Sequence, residues 1–416
     1  MRLRSFLASA AAMAVLAIAS GAAAQKSATV RIGWNPLAGS TPITGTMIQQ
    51  KLFEAEAKKY GYDVTVEWIQ FLAGAPPANA AMLAGRLDMD VDYAVGAIVP
   101  RIKNKIPIVI FGIHASHLSN AVVVRPGSDI NEVAKLAGKT VGLPVATSAH
   151  YTLATVVKEQ TGKTLQELGI KLVNMVPSEG IKMPQGIDAA GVWVPLRFMG
   201  KPLGTAELLV DSSGFNGAAN RIANQRTPGV EKAWGYPEGY LVDRLYLCAR
   251  DAFAKEHPNL LVAFLRARIE AQRLAVADQA KALAVANEWW KLDLPIAAQA
   301  RDTYPENTNI RNAPYVLEYD ALAIIKGSEF FASIETIDKA VTWDEVKAII
   351  APAAEMQKKA WEDGGMKPTT AEMEAHFKGA NPTWPQLTIA GGAPVWMMSQ
   401  TPNWGQRHYK PGPFTK

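Results

Sequence analysis

The sequence lacks the paired cysteines that form disulfides in small exported proteins. It also lacks the sequence motifs of several common enzyme classes. Cys248 is the only cysteine in 416 residues, so no disulfide can form within the chain. The motifs G-x-G-x-x-G, G-x-x-x-x-G-K-[ST], H-E-x-x-H and G-x-S-x-G do not occur. With one cysteine and six scattered histidines, we expect no structural zinc site. The residues therefore carry no strong enzymatic signal, and stability must come from burial.

Composition and charge are those of a large globular protein. Hydrophobic residues make up 49% of the chain and charged residues 19%, and 416 residues exceed one ordinary core, so we expect two lobes or more. The formal net charge is +5, and Arg2 and Arg4 in the first segment contribute two of these charges. The remaining excess is scattered along the chain, so nucleic acid is not expected as a partner.

The first 24 residues have the pattern of a secretory signal peptide. Arg2 and Arg4 precede an apolar run without charges, and Ala22, Ala23 and Ala24 form an A-x-A cleavage site. We predict cleavage after Ala24 and export to the periplasm. The alternative is a membrane anchor, although the apolar run is short for spanning a bilayer. No cysteine stands directly after the signal, which argues against a lipid-anchored form.

One pattern occurs three times: a short β-rich run, a loop of small residues, and a helical segment. Residues 29–34 lead into a helix from about 42, residues 63–70 into one from about 75, and residues 139–144 into one that ends at Gly162. Alternating strands and helices predict parallel sheets with helices on both faces. Ligands of such sheets bind beyond the carboxyl ends of the strands, where these loops lie.

Further strands are predicted from β-branched and aromatic runs. They cover residues 88–94, 106–114, 120–126, 171–176, 187–194 and 240–250. From Pro258 the pattern becomes helical, with apolar residues at helical spacing. The last part of the chain is rich in proline, glycine and tryptophan, which predicts an irregular extension.

His114 and His117 lie three residues apart in the segment HASHLSN. A metal site is one interpretation, but no Asp, Glu or Cys accompanies them there. We therefore expect polar histidines that line a cleft or a hinge, with no bound metal.

Four segments together resemble one known family. They are residues 71–108 (FLAGAPPANAAMLAGRLDMDVDYAVGAIVPRIKNKIPI), 129–153 (DINEVAKLAGKTVGLPVATSAHYTL), 186–196 (GIDAAGVWVPL) and 246–267 (YLCARDAFAKEHPNLLVAFLRA). In this order they resemble the periplasmic solute-binding proteins of ABC importers in the nitrate, sulfonate and taurine class, which are relatives of thiamine-pyrimidine precursor binders. The resemblance covers roughly residues 30 to 345.

The resemblance implies an α/β chain with the two-lobed, type II periplasmic-binding-protein fold. Each lobe would have three α/β/α layers, with a hinge between the lobes and an irregular C-terminal extension. The expected division is a signal peptide at 1–24, the first lobe at 25–118 and 249–350, the second lobe at 119–248, and an extension at 351–416 that wraps the first lobe. The resemblance further implies a monomer without catalytic residues or cofactor, which binds a small anionic solute and docks on an ABC permease in the inner membrane.

If the two lobes face each other, three predicted helices point their amino ends at the cleft. These helices begin near Thr41, Ala75 and Ser148, and their first amide groups lack partners and carry partial positive charge. We expect an oxyanion at this point, with hydroxyl donors from Thr147 and Ser148. The alternative for Ser148 is that it only caps its own helix. Ser40 and Gly74, beside the first two helix starts, complete this part of the site.

Other candidates come from strand ends and from the family's cleft. Trp193 matches the family's cleft tryptophan and would cover an apolar part of the solute; alternatively it is a core residue. Arg197 would bind a carboxylate or sulfonate, or be a solvated surface arginine. Asp92 would repel an anion, so we expect it either to bind an amine group of the solute or to stabilise a loop. The remaining candidate ligand-binding residues are Tyr93, His117, His150 and Tyr151.

Three functions remain open at this point. The leading one is a receptor that delivers a sulfonate, taurine, nitrate or aromatic carboxylate to a permease. The second is a thiamine-pyrimidine-type precursor-binding or biosynthetic protein of the same fold, and the third is a periplasmic receptor for a membrane sensor. A lone cysteine argues against the biosynthetic alternative, whose known relative is cysteine-rich.

Overall fold

The fold is described from a computed structural model over residues 25–116, 120–212, 244–301, 316 and 318–364. The predicted signal peptide, His117 and most of the predicted extension lie outside these residues. Within them, no helix is both long and apolar enough to cross a bilayer.

The first sheet of the described chain has five strands in the order β2-β1-β3-β10-β4. β1 is parallel to β2 and β3, whereas β10 is antiparallel to both β3 and β4. The strands are β1 (Lys26–Trp34), β2 (Tyr62–Gln70), β3 (Met89–Tyr93), β4 (Ile108–Ser116) and β10 (Arg244–Arg250). We call this sheet with its helices the first lobe.

The second sheet also has five strands among the described residues, in the order β7-β6-β8-β5-β9. β6 is parallel to β7 and β8, and β5 is antiparallel to β8 and β9. The strands are β5 (Ala121–Val124), β6 (Thr140–Leu143), β7 (Lys171–Asn174), β8 (Ala189–Val192) and β9 (Glu207–Asp211). This sheet with its helices is the second lobe.

Helices flank both sheets. They are α1 (Thr41–Gln49), α2 (Leu52–Lys59), α3 (Ala75–Leu83), α4 (Val95–Lys103), α5 (Ser148–Thr161), α6 (Pro177–Gly180), α7 (Gly200–Leu203), α8 (Asp251–Glu256), α9 (Pro258–Ala277), α10 (Gln279–Trp290), α11 (Leu294–Arg301), α12 (Glu318–Ser333) and α13 (Trp343–Asp363). Single turns of 3-10 helix cover Val133–Leu136 and Leu196–Phe198.

Helix boundaries follow the local signals in most places. Proline stands in the first turn of α1, α3 and α9, where its missing N–H costs no hydrogen bond. Gly162 ends α5 with φ 71°, as the sequence predicts. The helix predicted from about residue 42 is divided into α1 and α2, because Lys51 takes a left-handed conformation with φ 51°.

The two-lobed α/β fold is confirmed, but the sheets are mixed and not purely parallel. β5 and β10 are the antiparallel strands, and each is the first described strand after a gap in the described chain. All the predicted strands are present, and β9 is the one that the sequence reading missed. Its segment, ELLVD, begins with two good helix formers and lacks the β-branched run of the other strands.

Two segments differ from the expected lobe boundaries. Arg244–Arg250 already belongs to the first sheet, before the boundary expected after Cys248. The last helix, Trp343–Asp363, continues past residue 350 into the segment expected to be an irregular extension.

The centre of the first sheet carries a buried ion pair. The guanidinium of Arg101, in α4, donates to both carboxylate oxygens of Asp90 in β3, with Nη1 at 3.0 Å from Oδ1, and its Nε donates to Asn79 Oδ1 at 2.7 Å. Both charged side chains are fully buried. The pair fixes α4 against β3, so the start of α4 has a defined place at the end of the sheet.

Asp90→Ala is expected to destabilise the protein by about 3–5 kcal/mol, because it leaves the Arg101 guanidinium buried without its counter-ion. Urea unfolding followed by circular dichroism measures this loss. The control is Asp63→Ala at an exposed position of β2, which should change the free energy of unfolding by less than about 0.5 kcal/mol. Equal stability of the two variants would contradict the assignment.

Candidate functional site

A cavity lies between the two lobes, at the carboxyl ends of β1, β3 and β6. The volume that is open to the centre of a water molecule is about 30 Å³ in this closed form. Residues from both lobes line it: Asn35, Ala38, Gly74, Ala75, Asp92, Tyr93, Ala94, Gly96 and Ala97 from the first lobe, and Thr147, Ser148 and Trp193 from the second. Its position is that of ligand sites in open α/β sheets.

Three helices begin at the cavity wall, and none has a side-chain cap. The N-cap residues of α3, α4 and α5 are Gly74, Ala94 and Thr147, and all three line the cavity. α1 begins just behind it, after the lining residues Asn35 and Ala38, and its N-cap Ser40 makes no capping bond either. Helix starts with unsatisfied amide groups favour an anion, by about 0.3–1 kcal/mol each.

The backbones of the two lobes meet directly at Gly96. A Cβ atom on this glycine would lie 2.9 Å from Thr147 Cα and 3.3 Å from Ser148 N. Such a contact is shorter than a real Cβ atom makes, so the approach of α4 to the start of α5 requires glycine here. The lobes therefore stand closed at this point.

Trp193 joins the lobes by a hydrogen bond. Its indole Nε1 donates to the Leu37 carbonyl oxygen of the first lobe at 2.9 Å. The edge of the ring faces Gly74, where an added Cβ would lie 3.7 Å from Trp193 Cη2. Gly74 has φ 82° and ψ −148°, a conformation that is accessible to glycine and strained for other residues. Trp193 thus lines the cavity and closes it.

Asp92 is a lining residue of the cavity, but its side chain is fully buried and its carboxylate is directed behind the wall, toward Ser40 and His114. It accepts a short hydrogen bond from Ser40 Oγ at Oδ1 and a long one, 3.4 Å, from the backbone N–H of Asn35 at Oδ2. His114 Nε2 lies 3.5 Å from Oδ1, but burial and then the charge of Arg268 keep the pKa of His114 well below its ordinary value. Burial raises the pKa of Asp92 to about 7, the hydrogen bonds from Ser40 and Asn35 oppose the shift, and Asp90 adds to it.

The hydroxyl of Tyr93 is buried and has no hydrogen-bond partner among the residues that the structure describes. Tyr93 lines the cavity beside Asp92, and burial, followed by the charges of Asp90 and Asp92, raises the pKa of its hydroxyl well above the ordinary value. The hydroxyl is therefore a neutral donor. An unsatisfied buried donor is destabilising unless a bound group accepts from it.

Five of the predicted ligand-binding residues line this cavity together: Gly74, Tyr93, Thr147, Ser148 and Trp193. Thr147 is the N-cap of α5, but its Oγ1 donates to the Pro144 carbonyl oxygen at 2.6 Å and does not cap the helix. Ser148 Oγ lies 3.4 Å from Asn120 Oδ1, a weak contact. Ser148 is thus the first residue of α5, and the alternative in which it only caps the helix does not hold.

Ser40 and Thr41 lie behind the cavity wall. Ser40 donates its hydroxyl to Asp92, and Thr41 Oγ1 donates to the carbonyl oxygens of Pro36 at 2.9 Å and Ala38 at 2.7 Å. Both side chains are fully buried. They shape the loop between β1 and α1 and do not line the cavity.

Three other predicted residues lie away from the cavity, and His117 lies outside the described residues. Tyr151 stacks on Phe330 of α12, with ring centroids 5.1 Å apart, and His150 packs edge-on against the same ring. Burial lowers the pKa of His150 to about 4. Arg197 Nη1 donates to Asp211 Oδ2 at 2.5 Å. Its charge is neutralised there by a buried carboxylate, so Arg197 does not line the cavity between the lobes and is not a solvated surface arginine.

The sequence reading did not select Asn35, Ala38 or the glycine at 96 as site residues. Asn35 and Ala38 stand in the loop directly after β1, and position alone could have indicated them, because ligands bind beyond strand ends. Gly96 had no comparable signal, since its role depends on the other lobe.

The family model described as NMT1/THI5 like matches residues 61–282, which is just over half of the chain. The chain belongs to the NMT1/THI5-like family. The matched region begins in the first lobe before β2 and includes β5–β9 of the second lobe. It then returns to the first lobe and ends in α10. The family resemblance read from the sequence is thereby confirmed.

Among curated relatives, the taurine-binding periplasmic protein of Escherichia coli K12 is 26% identical over 225 residues. The alignment covers 53% of this chain and 60% of that protein, so the chain spans about three fifths of the length of this relative.

Solved structures show the same fold at lower identity. The alkanesulfonate-binding protein SsuA from Xanthomonas axonopodis pv. citri, bound to MOPS, is 16% identical with a TM-score of 0.60, over 79% of this chain and 99% of that one. The periplasmic nitrate-binding protein NrtA from Synechocystis PCC 6803 is 13% identical with a TM-score of 0.56, over 80% and 88%. These likenesses establish the periplasmic-binding-protein fold of this NMT1/THI5-like chain.

No group of three or more His, Cys, Asp or Glu side chains in the described ranges could hold a metal ion. His114, one of the two histidines considered for a metal, is fully buried and lies 2.7 Å through Nε2 from Thr44 Oγ1. Cys248 is buried in β10 beside Arg101, and burial raises its pKa to about 12.

Gly96→Ala is expected to force the lobes apart, because the new methyl group would meet the Thr147 backbone. We expect a larger radius of gyration by small-angle scattering than for the unsubstituted protein, with each lobe still folded. Gly327→Ala is the matched control, since the three atoms nearest to its methyl group are side-chain atoms of Val95, which belongs to the first lobe. Unchanged scattering of Gly96→Ala would contradict closure at this contact.

The pKa of Asp92 predicts a specific pH dependence of stability. The carboxyl titrates near 7 in the folded protein and near 3.9 in an unfolded chain. Between these values the folded state holds the proton and the unfolded state does not. The free energy of unfolding therefore falls as pH rises from about 4 to 7, by at most about 1.4 kcal/mol per pH unit from this group.

Asp92→Asn removes this contribution, so the variant should gain stability relative to the original protein as pH rises through this window. Urea unfolding at pH 4.5, 6 and 8 measures the difference. Two parallel pH profiles would show that Asp92 is not protonated in the folded state.

Proposed function

We propose that this chain is the periplasmic substrate-binding component of an ABC transporter. In this proposal the first 24 residues direct export and are removed after Ala24, and the mature protein works as a monomer without a cofactor. It captures a small anionic solute between its lobes and delivers it to a permease in the inner membrane. Catalysis forms no part of this function.

The observation that carries the proposal is the convergence of uncapped helix starts on one cavity. α3 and α4 come from the first lobe and α5 from the second, so amide donors lie on both sides of the gap. An oxyanion such as a sulfonate, nitrate or carboxylate accepts several hydrogen bonds at once and suits this arrangement. A neutral solute would leave the partial positive charges uncompensated.

Closure supplies the affinity in this function. The direct contact of Gly96 with Thr147 and the hydrogen bond from Trp193 to Leu37 both exist only when the lobes are together. A solute that bridges the helix starts of both lobes adds to these contacts and shifts the population toward the closed form. The closed surface is then what the permease recognises.

The relatives support the class of solute. The curated relative is named for taurine binding, and the structural neighbours are named for alkanesulfonate and nitrate binding. Each of these solutes carries at least one oxyanion group. In our proposal Gly74, Thr147 and Ser148 surround this group and Trp193 covers the body of the solute.

The first test is thermal stabilisation by candidate solutes at pH 7.5. Ethanesulfonate, 2-aminoethanesulfonate, nitrate and benzoate are titrated separately, with chloride as the ionic-strength control. At least one should raise Tm in proportion to the logarithm of its concentration above Kd. If none of them does so more than chloride, the proposal fails.

The second test places a negative charge at a helix start. Ala75 is the first residue of α3 and lines the cavity. Ala75→Asp is expected to weaken binding of the anionic solute by at least about tenfold, while the helix itself tolerates an acid in its first turn. Ala75→Asn is the matched control of similar size, and isothermal titration measures both. Equal affinity of the two variants would show that the site does not hold an anion near α3.

A further inference from the structure

The loop that leads into α5 has a backbone conformation that alanine does not favour. Ala146, directly before the N-cap Thr147, has φ 58°, which lies in the left-handed region. Glycine takes positive φ values freely, and the start of α3 has a glycine, Gly74, with φ 82°. An alanine in the left-handed region costs free energy, so the surrounding structure must hold it there.

The side chain of His150 holds this loop from within the helix. His150 is the third residue of α5, and its Nδ1 accepts the backbone N–H of Ala146 at 3.3 Å. A side chain in the first turn thereby bonds back to the residues before the helix, as the acidic residue of a capping box does. The bond spans four residues and fixes the angle at which the loop enters α5.

The other polar groups of this loop divide into two sets. The Val145 N–H donates to Asn174 Oδ1 at 3.1 Å. Thr147 Oγ1 donates to the Pro144 carbonyl oxygen at 2.6 Å. By contrast, the backbone N–H groups of Thr147 and Ser148 have no acceptor among the residues that the structure describes, and both residues line the cavity. The loop is thus held in a way that leaves these two amides for a solute.

Phe330, on α12 of the first lobe, fixes the plane of the His150 ring. The two rings meet at 88°, with their centroids 5.1 Å apart, and His150 is 4% exposed. α12 packs on α4, where a Cβ added to Gly327 would lie 3.1 Å from Val95. The direction of Nδ1 therefore depends on a contact between the lobes.

The bond to Ala146 requires an imidazole without a proton on Nδ1, because only an unprotonated ring nitrogen accepts a hydrogen bond. Burial lowers the pKa of His150 to about 4, so the ring is neutral at pH 7.5. Its one proton then lies on Nε2, since Nδ1 accepts from an N–H group.

We propose that His150 is a positioning residue of the oxyanion site: by fixing Ala146, it sets the direction of the amide groups at the start of α5. This inference rests on the proposed function, because these amides belong to the same site. His150 itself does not touch the solute. Since Phe330 orients its ring, the second lobe's half of the site reaches its binding geometry only when the lobes are closed.

Two substitutions separate the acceptor of His150 from its ring. His150→Asn places Oδ1 close to the position of Nδ1, so it keeps the acceptor and loses most of the ring. His150→Phe keeps an aromatic ring against Phe330 and loses the acceptor. Urea unfolding checks that both variants are folded.

Isothermal titration at pH 7.5 compares both variants with the original mature chain. The probes are ethanesulfonate, 2-aminoethanesulfonate, nitrate and benzoate. For each anion that binds, we expect His150→Phe to weaken binding by about 3- to 10-fold, the effect of one hydrogen bond. His150→Asn should stay within about twofold of the original affinity. A role in packing alone predicts the reverse order, and that order, or equal affinity of the two variants, overturns the inference.

A second measurement uses the unsubstituted chain and does not depend on the folding of a variant. Nitrogen-15 chemical shifts of labelled histidine at pH 7.5 report which ring nitrogen carries the proton. The His150 signal is identified by its nuclear Overhauser contact with the Phe330 ring. We expect a protonated Nε2 and an unprotonated Nδ1. A proton on Nδ1 would overturn the inference, because that nitrogen could not accept from Ala146.

The outcomes separate this inference from the proposed function. If an anion binds the original protein and His150→Phe equally well, the positioning role is refuted and the receptor function stands. If none of the four anions binds the original protein, the proposed function fails and this inference fails with it. Weaker binding by His150→Phe, with affinity kept in His150→Asn, supports both.

Discussion

The site depends on one close approach, in which the backbone of α4 lies against the start of α5 with no side chain between them. Gly96 makes this approach possible, because any larger residue would meet the Thr147 backbone. The contact brings helix starts from two separately built lobes to one gap. Trp193 holds the same arrangement from the other side through the Leu37 carbonyl. Without these contacts, each lobe would present isolated amide groups to water.

Asp88, directly before β3, and Asp90 and Asp92 within it show how neighbouring aspartates differ in their environments. They alternate along MDVDY and the residue before it, yet each meets a different environment. Asp88 and Asp90 are matched by arginines, which fix β1, β10 and α4 around the strand. Asp92, at the carboxyl end, is matched by hydroxyl and amide groups only. The matched pairs hold the strand in place, and this support allows an incompletely paired charge to persist at its end.

Much of the fold can be predicted from the sequence, because its signals are local. Strand runs, the proline at 258 and the glycine at 162 act through neighbouring residues, and the structure has those elements. The antiparallel placement of β10 and β5 could not be read this way, since strand direction depends on where the chain returns to the sheet. The break between α1 and α2 at Lys51 was not predicted either, because no sequence pattern indicates a lysine in the left-handed conformation.

The site was predictable to the extent that it follows from strand ends. Thr147, Ser148 and Gly74 stand in loops after strands, and each lines the cavity. His150, Tyr151 and Arg197 were selected for their chemistry, but their partners come from distant segments. Phe330 takes the two rings and Asp211 takes the guanidinium. Sequence spacing carries no information about such partners, and this is why the structure places these three residues away from the cavity.

The stack of Tyr151 on Phe330 has a consequence for how such a protein can change its solute. The aromatic pair anchors the first turn of α5 to the first lobe from behind the cavity, so the amide donors stay in place whatever lines the front. Substitutions in the cavity wall can then change which solute fits, while the amide groups at the start of α5 still bind its oxyanion group. The specificity for the solute can therefore change without a change in the packing that holds α5 in place.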